Sequence, residues 1–326
     1  MSDPRLDYKN EYPVELVAPD ISCYKNTGSG VDYIVTIDSG FSGPHVFISS
    51  VVHGNEPCGA IANDWFLKNN FKPARGKLSL GFMNVEAYKA FDPDNPNKTR
   101  WVEEDFNRLW APGVLEDKSR KKTSEFYRAN EVKGIISETD YLLDIHSMQK
   151  PCVPLMMAGM CNKGVEFAKK VGMEMFVITD SGHKEGMRMR DYKSFSNNKS
   201  IKNALLVECG QHWEKSSEKK AKKTLIKFLR SIQIMKNDFG LEYLSNSKKI
   251  GNSDVFKVGE IVTIKTENFV FEKDWQGFEK IKKGTIIGND DGEIIYAPFD
   301  ETILIMPTKR LFPGKTAVRL AYQIKE

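Results

Sequence analysis

The sequence predicts an α/β protein that ends in a small, nearly all-β domain. Over the first two thirds of the chain, short apolar runs alternate with segments of helical periodicity, which favours a layered α/β domain. After about residue 244 the apolar runs are short β segments, separated by turn signals such as Asp-Asp-Gly and Pro-Gly. The length of 326 residues also favours about two domains. We therefore predict domains at 1–243 and 244–326.

The predicted strands of the first domain are short apolar runs. Several of them are continuous rather than alternating, which is typical of strands covered by helices on both faces of a sheet. They are residues 32–37, 45–52, 78–84, 141–146, 155–160, 175–180 and 204–209.

Helical segments lie between these strands, beginning after Gly59 and at 124–138 and 164–172. A longer helix is predicted over 219–240, because its apolar residues share one face and Gly240 suits a C-cap. Its other face is rich in lysine, and we interpret that face as solvated rather than as a site for an anionic partner.

Composition excludes several classes of protein. Hydrophobic residues make up 40% of the chain and charged residues 28%, as in ordinary globular proteins, and no apolar run approaches a membrane span. A net charge of +4 does not argue for a nucleic-acid partner. The charged, proline-interrupted start is unlike a signal peptide. Five cysteines without a C-x-x-C pair indicate reduced thiols, so we expect a cytoplasmic protein with no membrane partner.

Three predicted strands end in residues that bind metals or move protons. Ligands of open α/β sheets bind beyond the carboxyl ends of strands. The strand at 45–52 is followed by His53, Gly54 and Glu56, and the glycine permits a tight turn that lets the other two converge on one cation. The H-x-x-E pattern alone is weak evidence for a metal site.

The other two strand ends strengthen this pattern. Asp144 and His146 share one face of their strand, and Glu208 lies inside an apolar strand, where a carboxylate is costly unless it is paired or solvated. Taken singly, His146 could be a packed histidine and Glu208 a glutamate at the rim of the sheet. Two histidines and a glutamate are, however, the ligand set of a catalytic zinc with an open position for water. Glu208 is then a candidate base for that water, and Asp144 a candidate partner of a ligand histidine.

Four motifs in order resemble the succinylglutamate desuccinylase/aspartoacylase family of the zinc carboxypeptidase superfamily. They are HGNE, R-x₆-N-R, D-I-H-S and V-E-C-G, and the resemblance runs from about residue 30 to about residue 215. It implies a zinc-carboxypeptidase-like three-layer domain with a mixed, mostly parallel sheet. It also implies the hydrolysis of a small anionic N-acyl amino acid, with one Zn²⁺ per chain.

The resemblance assigns roles to individual residues. Glu208 would activate the water and protonate the leaving amine, and Arg100 would polarise the scissile carbonyl. Asn107 and Arg108 would grip a substrate carboxylate, although spacing alone does not separate these arginines from surface ones. The implied zinc ligands are His53, Glu56 and His146.

The sequence departs from the family at a second carboxylate-binding position. Aspartoacylases have an arginine ten residues before the catalytic glutamate, where this chain has Asn198, and a tyrosine four residues earlier, where it has Ser194. N-acetylaspartate is therefore disfavoured as the substrate. The loop nearby offers possible substitutes, and Tyr296 is our candidate for a late-chain tyrosine at the site. The loop residues are His183, Lys184, Arg188, Arg190 and Tyr192, of which we select Arg188 and Arg190 as substrate-binding candidates.

Two alternatives use the same fold. One is a zinc carboxypeptidase that acts on short peptides, and the other is a binding protein without catalysis. The C-terminal β domain is similar to a lipoyl- or biotinyl-type hairpin fold but lacks the lysine tip that carries the cofactor. We interpret it as a cap over the active site that narrows access, which disfavours long peptides. A homo-oligomer is compatible with the sequence.

Overall fold

An eleven-stranded sheet runs through the computed structural model, which describes residues 6, 8–244 and 254–324. The helices of the described residues are Pro57–Lys68 (α1), Val85–Lys89 (α2), Ser124–Glu138 (α3), Asn162–Val171 (α4) and Lys215–Ile232 (α5). The first seven strands are Ile34–Asp38 (β1), His45–Ser50 (β2), Lys77–Phe82 (β3), Tyr141–Met148 (β4), Leu155–Met157 (β5), Phe176–Thr179 (β6) and Asn203–Gln211 (β7). The remaining strands are Val255–Thr263 (β8), Phe269–Phe271 (β9), Lys280–Ile281 (β10), Ile286–Asp290 (β11), Glu293–Tyr296 (β12), Thr302–Ile305 (β13) and Thr316–Ile324 (β14).

The strand order of the large sheet is β1-β3-β2-β4-β7-β5-β6-β8-β14-β13-β10. Among β1 to β7, every pair is parallel except β1 with β3 and β5 with β7. The predicted α/β class with a mixed, mostly parallel sheet in this part of the chain is confirmed. The seven strands predicted here are all present, with ends that differ by a few residues.

Helices cover both faces of this sheet, which explains the continuous apolar runs. On β2, Val46 and Ile48 pack in a core with α1, α4 and α5, whereas Phe47 points to the opposite core with α3. Successive side chains of a strand point to opposite faces, so both must be apolar when both faces are buried.

The C-terminal β region continues the same sheet. Strand β8 pairs in parallel with β6, and β14, β13 and β10 follow in antiparallel order. A second, three-stranded sheet has the order β12-β11-β9. Phe176 of β6 contacts Phe256 of β8 and Phe278, with ring centroids 5.1 and 4.6 Å away. The β region predicted after residue 244 is therefore present, and the sheet crosses the predicted domain boundary, which stays a prediction.

Helix α5 ends eight residues before the predicted C-cap at Gly240. The chain turns at Gln233, which has a φ of 59°, and the side chain of Arg75 donates to the carbonyls of Ile232 and Gln233. A distant arginine thus satisfies carbonyls at the end of the helix, so the helix stops before the glycine. Gly240 precedes the short 3₁₀ turn Leu241–Tyr243 instead.

No helix among the described residues is both long and apolar enough to cross a membrane.

The turn between β2 and α1 packs tightly against neighbouring backbone at Gly54. A Cβ atom at this position would lie 2.4 Å from the carbonyl carbon of Ala87 and 2.4 Å from the carbonyl oxygen of Thr99. We expect Gly54→Ala to lower the free energy of unfolding by about 1–3 kcal/mol, because neither backbone segment can move easily. Urea-induced unfolding measures the change.

Gly134 supplies a matched control. It lies in α3, and an added Cβ would meet no atom within 4 Å. Gly134→Ala should raise the free energy of unfolding by roughly 0.5–1 kcal/mol, because alanine restricts the unfolded chain. If Gly54→Ala were as stable as Gly134→Ala, the proposed clash would be wrong.

Candidate active site

Three neighbouring strands deliver the candidate residues to one edge of the sheet. Strands β2, β4 and β7 are adjacent and parallel, and His146 of β4 lies opposite Glu208 of β7 in the register. Beyond β2, Val51 adopts a φ of 48° and the chain turns away from the strand. This turn presents His53, and Glu56 stands immediately before the first residue of α1.

His53, Glu56 and His146 form a buried cluster whose potential ligand atoms lie within 4.8 Å of one another. The Nδ1 atom of His53 is 2.8 Å from Oε1 of Glu56, and Nδ1 of His146 is 3.0 Å from Oε2 of the same carboxylate. The structure thus brings together the three residues that the resemblance implies as zinc ligands.

The outer ring nitrogens of both histidines contact aspartates. Nε2 of His146 is 2.9 Å from Oδ2 of Asp144, and Nε2 of His53 is 3.0 Å from Oδ1 of Asp105. Ser49 in turn donates from Oγ to Oδ1 of Asp144 at 2.6 Å. For His146, the carboxylate of Asp144 favours a proton on the outer nitrogen, which leaves Nδ1 free for a metal. The donor set, two imidazoles and a carboxylate, suits Zn²⁺.

The electrostatics of the cluster favour a positive charge. Burial lowers the pKa of His146, but Asp144 and Glu56 outweigh it and hold that pKa well above its ordinary value. Burial raises the pKa of Glu56, but the two histidines outweigh it and hold the pKa well below the ordinary range. A cation among these residues is therefore stabilised by charge that is already in place.

Glu208 has the environment of a proton-transfer group. Burial raises its pKa to about 8. Its Oε2 atom is buried and has no hydrogen-bond partner among the described residues. A carboxyl with a pKa near neutrality can accept a proton and then return it.

Arg100, Asn107 and Arg108 line the same cavity as the histidine cluster. Nη1 of Arg100 donates to Oε1 of Glu56 at 2.9 Å, and Nη2 lies 2.9 Å from Nε2 of His53. Arg108 is 3.6 Å from Glu185, and Oδ1 of Asn107 accepts from the backbone of Met189 at 2.8 Å. The short 3₁₀ turn Phe106–Arg108 holds the last two at the cavity wall.

Three predicted substrate-binding residues differ from the others in their partners or position. Arg188 lines the cavity, but all three nitrogens of its guanidinium donate to Asp180 and Asp191. Arg190 does not line it, because its guanidinium is buried against the carbonyls of Ala158 and Ala204. Tyr296 is half exposed on β12 of the small sheet, away from the cavity.

Sequence reasoning missed several charged residues of the cavity. Arg319 lies inside the apolar run of β14, which is the same signal that identified Glu208, and it could have been found in this way. Asp105 stands in a charged segment without a distinguishing pattern, and its contact with His53 depends on the fold. The missed charged or titratable residues of the cavity wall are Asp105, Lys150, Glu185, His212, Arg310, Lys315 and Arg319.

Comparisons with known proteins found similar sequences. The family model of the succinylglutamate desuccinylase/aspartoacylase catalytic domain matches residues 42–232, more than half of the chain. A succinylglutamate desuccinylase from Pseudoalteromonas atlantica is 20% identical over 294 residues, which cover 84% of this chain and 79% of that protein.

Solved structures show the same fold. A succinylglutamate desuccinylase from Vibrio parahaemolyticus has a TM-score of 0.64 at 16% identity, covering 98% of this chain and 94% of that one. Murine aminoacylase 3 has a TM-score of 0.61 at 17% identity, covering 87% of this chain and 96% of that one.

The contact between Asp144 and His146 generates a prediction about metal affinity. Asp144→Asn should weaken zinc binding by about 10- to 100-fold, because the ring of His146 loses the carboxylate that orients it. Competition with a chelating dye measures the affinity.

Asp140→Asn is the control for this change. Asp140 precedes the same strand at its opposite end, where Oδ2 accepts from the backbone of His45. This variant should bind zinc like the wild-type protein, and equal affinity in both variants would remove the orienting role of Asp144.

Proposed function

Since the chain belongs to the succinylglutamate desuccinylase/aspartoacylase family, as its motifs predict, we propose that it is a zinc-dependent amide hydrolase. Its substrate would be a small N-acyl amino acid, from which it removes the acyl group. The observation that carries this proposal is the convergence of the His53, Glu56 and His146 donor atoms in one cavity with the unpartnered oxygen of Glu208. The names of the relatives make N-succinylglutamate the first compound to test.

His53 and His146 would bind the metal through Nδ1, and Glu56 would bind it through a carboxylate oxygen. A Zn²⁺ ion bound there supplies Lewis-acid chemistry, lowering the pKa of water towards about 7 and polarising a carbonyl. Asp105 and Asp144 keep the two imidazoles oriented for this task.

Glu208 moves the proton in this mechanism. It takes a proton from the water that attacks the scissile carbonyl carbon. It then gives that proton to the amide nitrogen as the C–N bond breaks, so a carboxylic acid and a free amine are produced. The pKa of about 8 suits both steps, because a group that titrates near the working pH serves as base and acid.

Arg100 would stabilise the negative charge that develops on the carbonyl oxygen. Its guanidinium is buried and fixed by Glu56, so it needs no rearrangement when the charge appears. Arg108 would bind a substrate carboxylate. That carboxylate must compete with Glu185 for the guanidinium of Arg108.

The C-terminal region supports a small substrate. Met306, Pro307 and Thr308 contribute to the cavity wall, so this part of the chain closes the site on one side. A long peptide would need that side open. This wall favours an acyl amino acid as the substrate over the peptides that a carboxypeptidase cleaves. The hydrolysis rates of N-succinylglutamate and of a blocked dipeptide measure this preference.

Removing the base should separate catalysis from metal binding. We expect Glu208→Gln to lower kcat by about 10²- to 10⁴-fold, with zinc content unchanged, because glutamine cannot accept the proton. Release of free amine measures kcat. Glu166→Gln, at an exposed position of α4, serves as the control and should keep full activity. Wild-type turnover in Glu208→Gln would contradict the assigned role.

Metal content tests the premise of the mechanism. Protein purified without a chelator or a metal-binding tag should contain about one zinc per chain by elemental mass spectrometry, and His53→Ala should lose it. Three-ligand sites depend on every ligand, so a single removal suffices. Absence of zinc from both proteins, even after zinc is added back, would overturn the mechanism and leave a binding protein on this fold.

A further inference from the structure

The cavity wall carries seven arginine and lysine side chains, and six of them are already paired with carboxylates. These pairs are Arg100 with Glu56, Arg108 and Lys315 with Glu185, Lys150 with Asp274, and Arg188 and Arg319 with Asp180. Arg310 is the exception. Within residues 6, 8–244 and 254–324, no carboxylate lies within ion-pair distance of its guanidinium, and its Nη1 atom is buried without an acceptor.

Arg310 is partly exposed as a residue, but its Nη1 atom is buried, and a buried charged atom without a partner is costly for a folded protein. Burial lowers the pKa of Arg310 to about 10, and the positive charges of Arg100 and Arg108 contribute to the decrease. The side chain nevertheless stays charged at neutral pH. Tyr8 and Asp105 act against this decrease, but neither forms an ion pair with the guanidinium.

The fold holds Arg310 firmly in this position. The residue lies in the loop between β13 and β14, where its backbone N–H donates to Oγ1 of Thr308 at 3.1 Å. Oγ1 of Thr308 donates to Oε1 of Gln149, also at 3.1 Å, and the backbone of Lys309 donates to the same oxygen. Gln149 follows directly after β4, the strand that carries His146. The loop is thus tied to the strand of a proposed metal ligand.

His212 offers a second unmatched group in the same cavity. Its Nδ1 atom is 2.9 Å from Oγ of Ser147, and its Nε2 atom is buried with no partner in the described part of the chain. Burial, together with the charges of Arg100 and Arg310, lowers the pKa of His212 to about 3, so the ring is neutral at pH 7. When Ser147 donates to Nδ1, Nε2 carries the proton and can donate to an anion.

We propose that Arg310 and His212 form a second subsite for a carboxylate of the substrate. This proposal rests on the proposed function. The substrate would then carry two carboxylates, one at Asn107 and Arg108 and the other at Arg310. This arrangement compensates for Asn198, which stands where the resemblance expects a carboxylate-binding arginine. Of the two loop arginines selected as substitutes, Arg188 donates from all three guanidinium nitrogens to Asp180 and Asp191, and Arg190 donates to the carbonyls of Ala158 and Ala204. A planar guanidinium can take a carboxylate through two parallel hydrogen bonds.

Succinate is a suitable probe, because its binding does not require hydrolysis. Isothermal titration calorimetry on the zinc-loaded and the zinc-free protein should show Arg310→Met binding succinate about 10- to 100-fold more weakly than wild type. Arg310→Lys should recover only part of the loss, because an ammonium group cannot form the paired bonds. Unchanged succinate affinity in Arg310→Met, or no binding to the wild-type protein, would overturn the proposal.

Lys309→Met is the matched control. Lys309 adjoins Arg310 but pairs with Glu11 outside the cavity, so the variant removes a neighbouring positive charge without touching the subsite. Its succinate affinity should equal that of the wild type. Equal losses in both variants would show that only the general charge of the loop matters and would also overturn the subsite.

Thermal melting separates a binding role from a structural one. Without ligand, Arg310→Met should melt at or above the wild-type temperature, because a partly buried charge without an ion-pair partner is removed. Succinate should raise the melting temperature of the wild type but not of Arg310→Met. A lower melting temperature for ligand-free Arg310→Met would indicate a structural role and count against the proposal.

Kinetics then connects the subsite to the reaction. For a dicarboxylate substrate that the wild type hydrolyses, Arg310→Met should raise KM far more than it lowers kcat, as expected for a residue that binds a part of the substrate remote from the reacting bond. If the wild type hydrolyses no acyl amino acid, the proposed function fails, while the succinate titration still decides the role of Arg310. A loss confined to kcat would contradict the subsite.

Discussion

The carboxylate of Glu56 is the contact on which the rest of the site depends. Its two oxygens meet both histidines of the cluster, Arg100 and the backbone N–H of Ser147. A buried carboxylate is tolerated only when such partners surround it, and each partner is in turn placed by it. Because Glu56 stands at the junction of a strand-end turn and α1, the geometry of that junction sets the positions of groups from three separate parts of the chain.

Compensation of buried charge explains the organisation of the cavity beyond this centre. Asp105 and Asp144 balance the histidines, Asp180 balances Arg188 and Arg319, and Glu185 balances Arg108. These networks use up most of the positive charge that the wall contains. The number of arginines in a cavity is therefore a poor guide to its ligand, and the arginine left without a partner is the informative one.

The features that could be predicted from the sequence are those that depend on local patterns of residues. The strands and the helix at 124–138 follow from periodicity, and the residues at strand ends follow because parallel strands meet at one edge of a sheet. The partners of a charged side chain are set by the fold instead. Arg190 is near the site in sequence but binds carbonyls, whereas Arg310 reaches the cavity from more than a hundred residues beyond Glu208. Arg75 likewise binds the carbonyls at the end of α5, a contact that no local pattern reveals.

The parallel pairing of β6 with β8 means that the two parts of the chain are not exchangeable modules. Without the C-terminal strands, β6 would become an open edge with unpaired backbone groups, a template for association with other chains. The aromatic ring of Phe176 would also lose its contacts with the rings of Phe256 and Phe278 and would become exposed. Residues of the cavity wall, such as Met306 and Arg310, thus come from a segment whose removal would expose the edge of the sheet, so the wall and the sheet edge depend on the same strands.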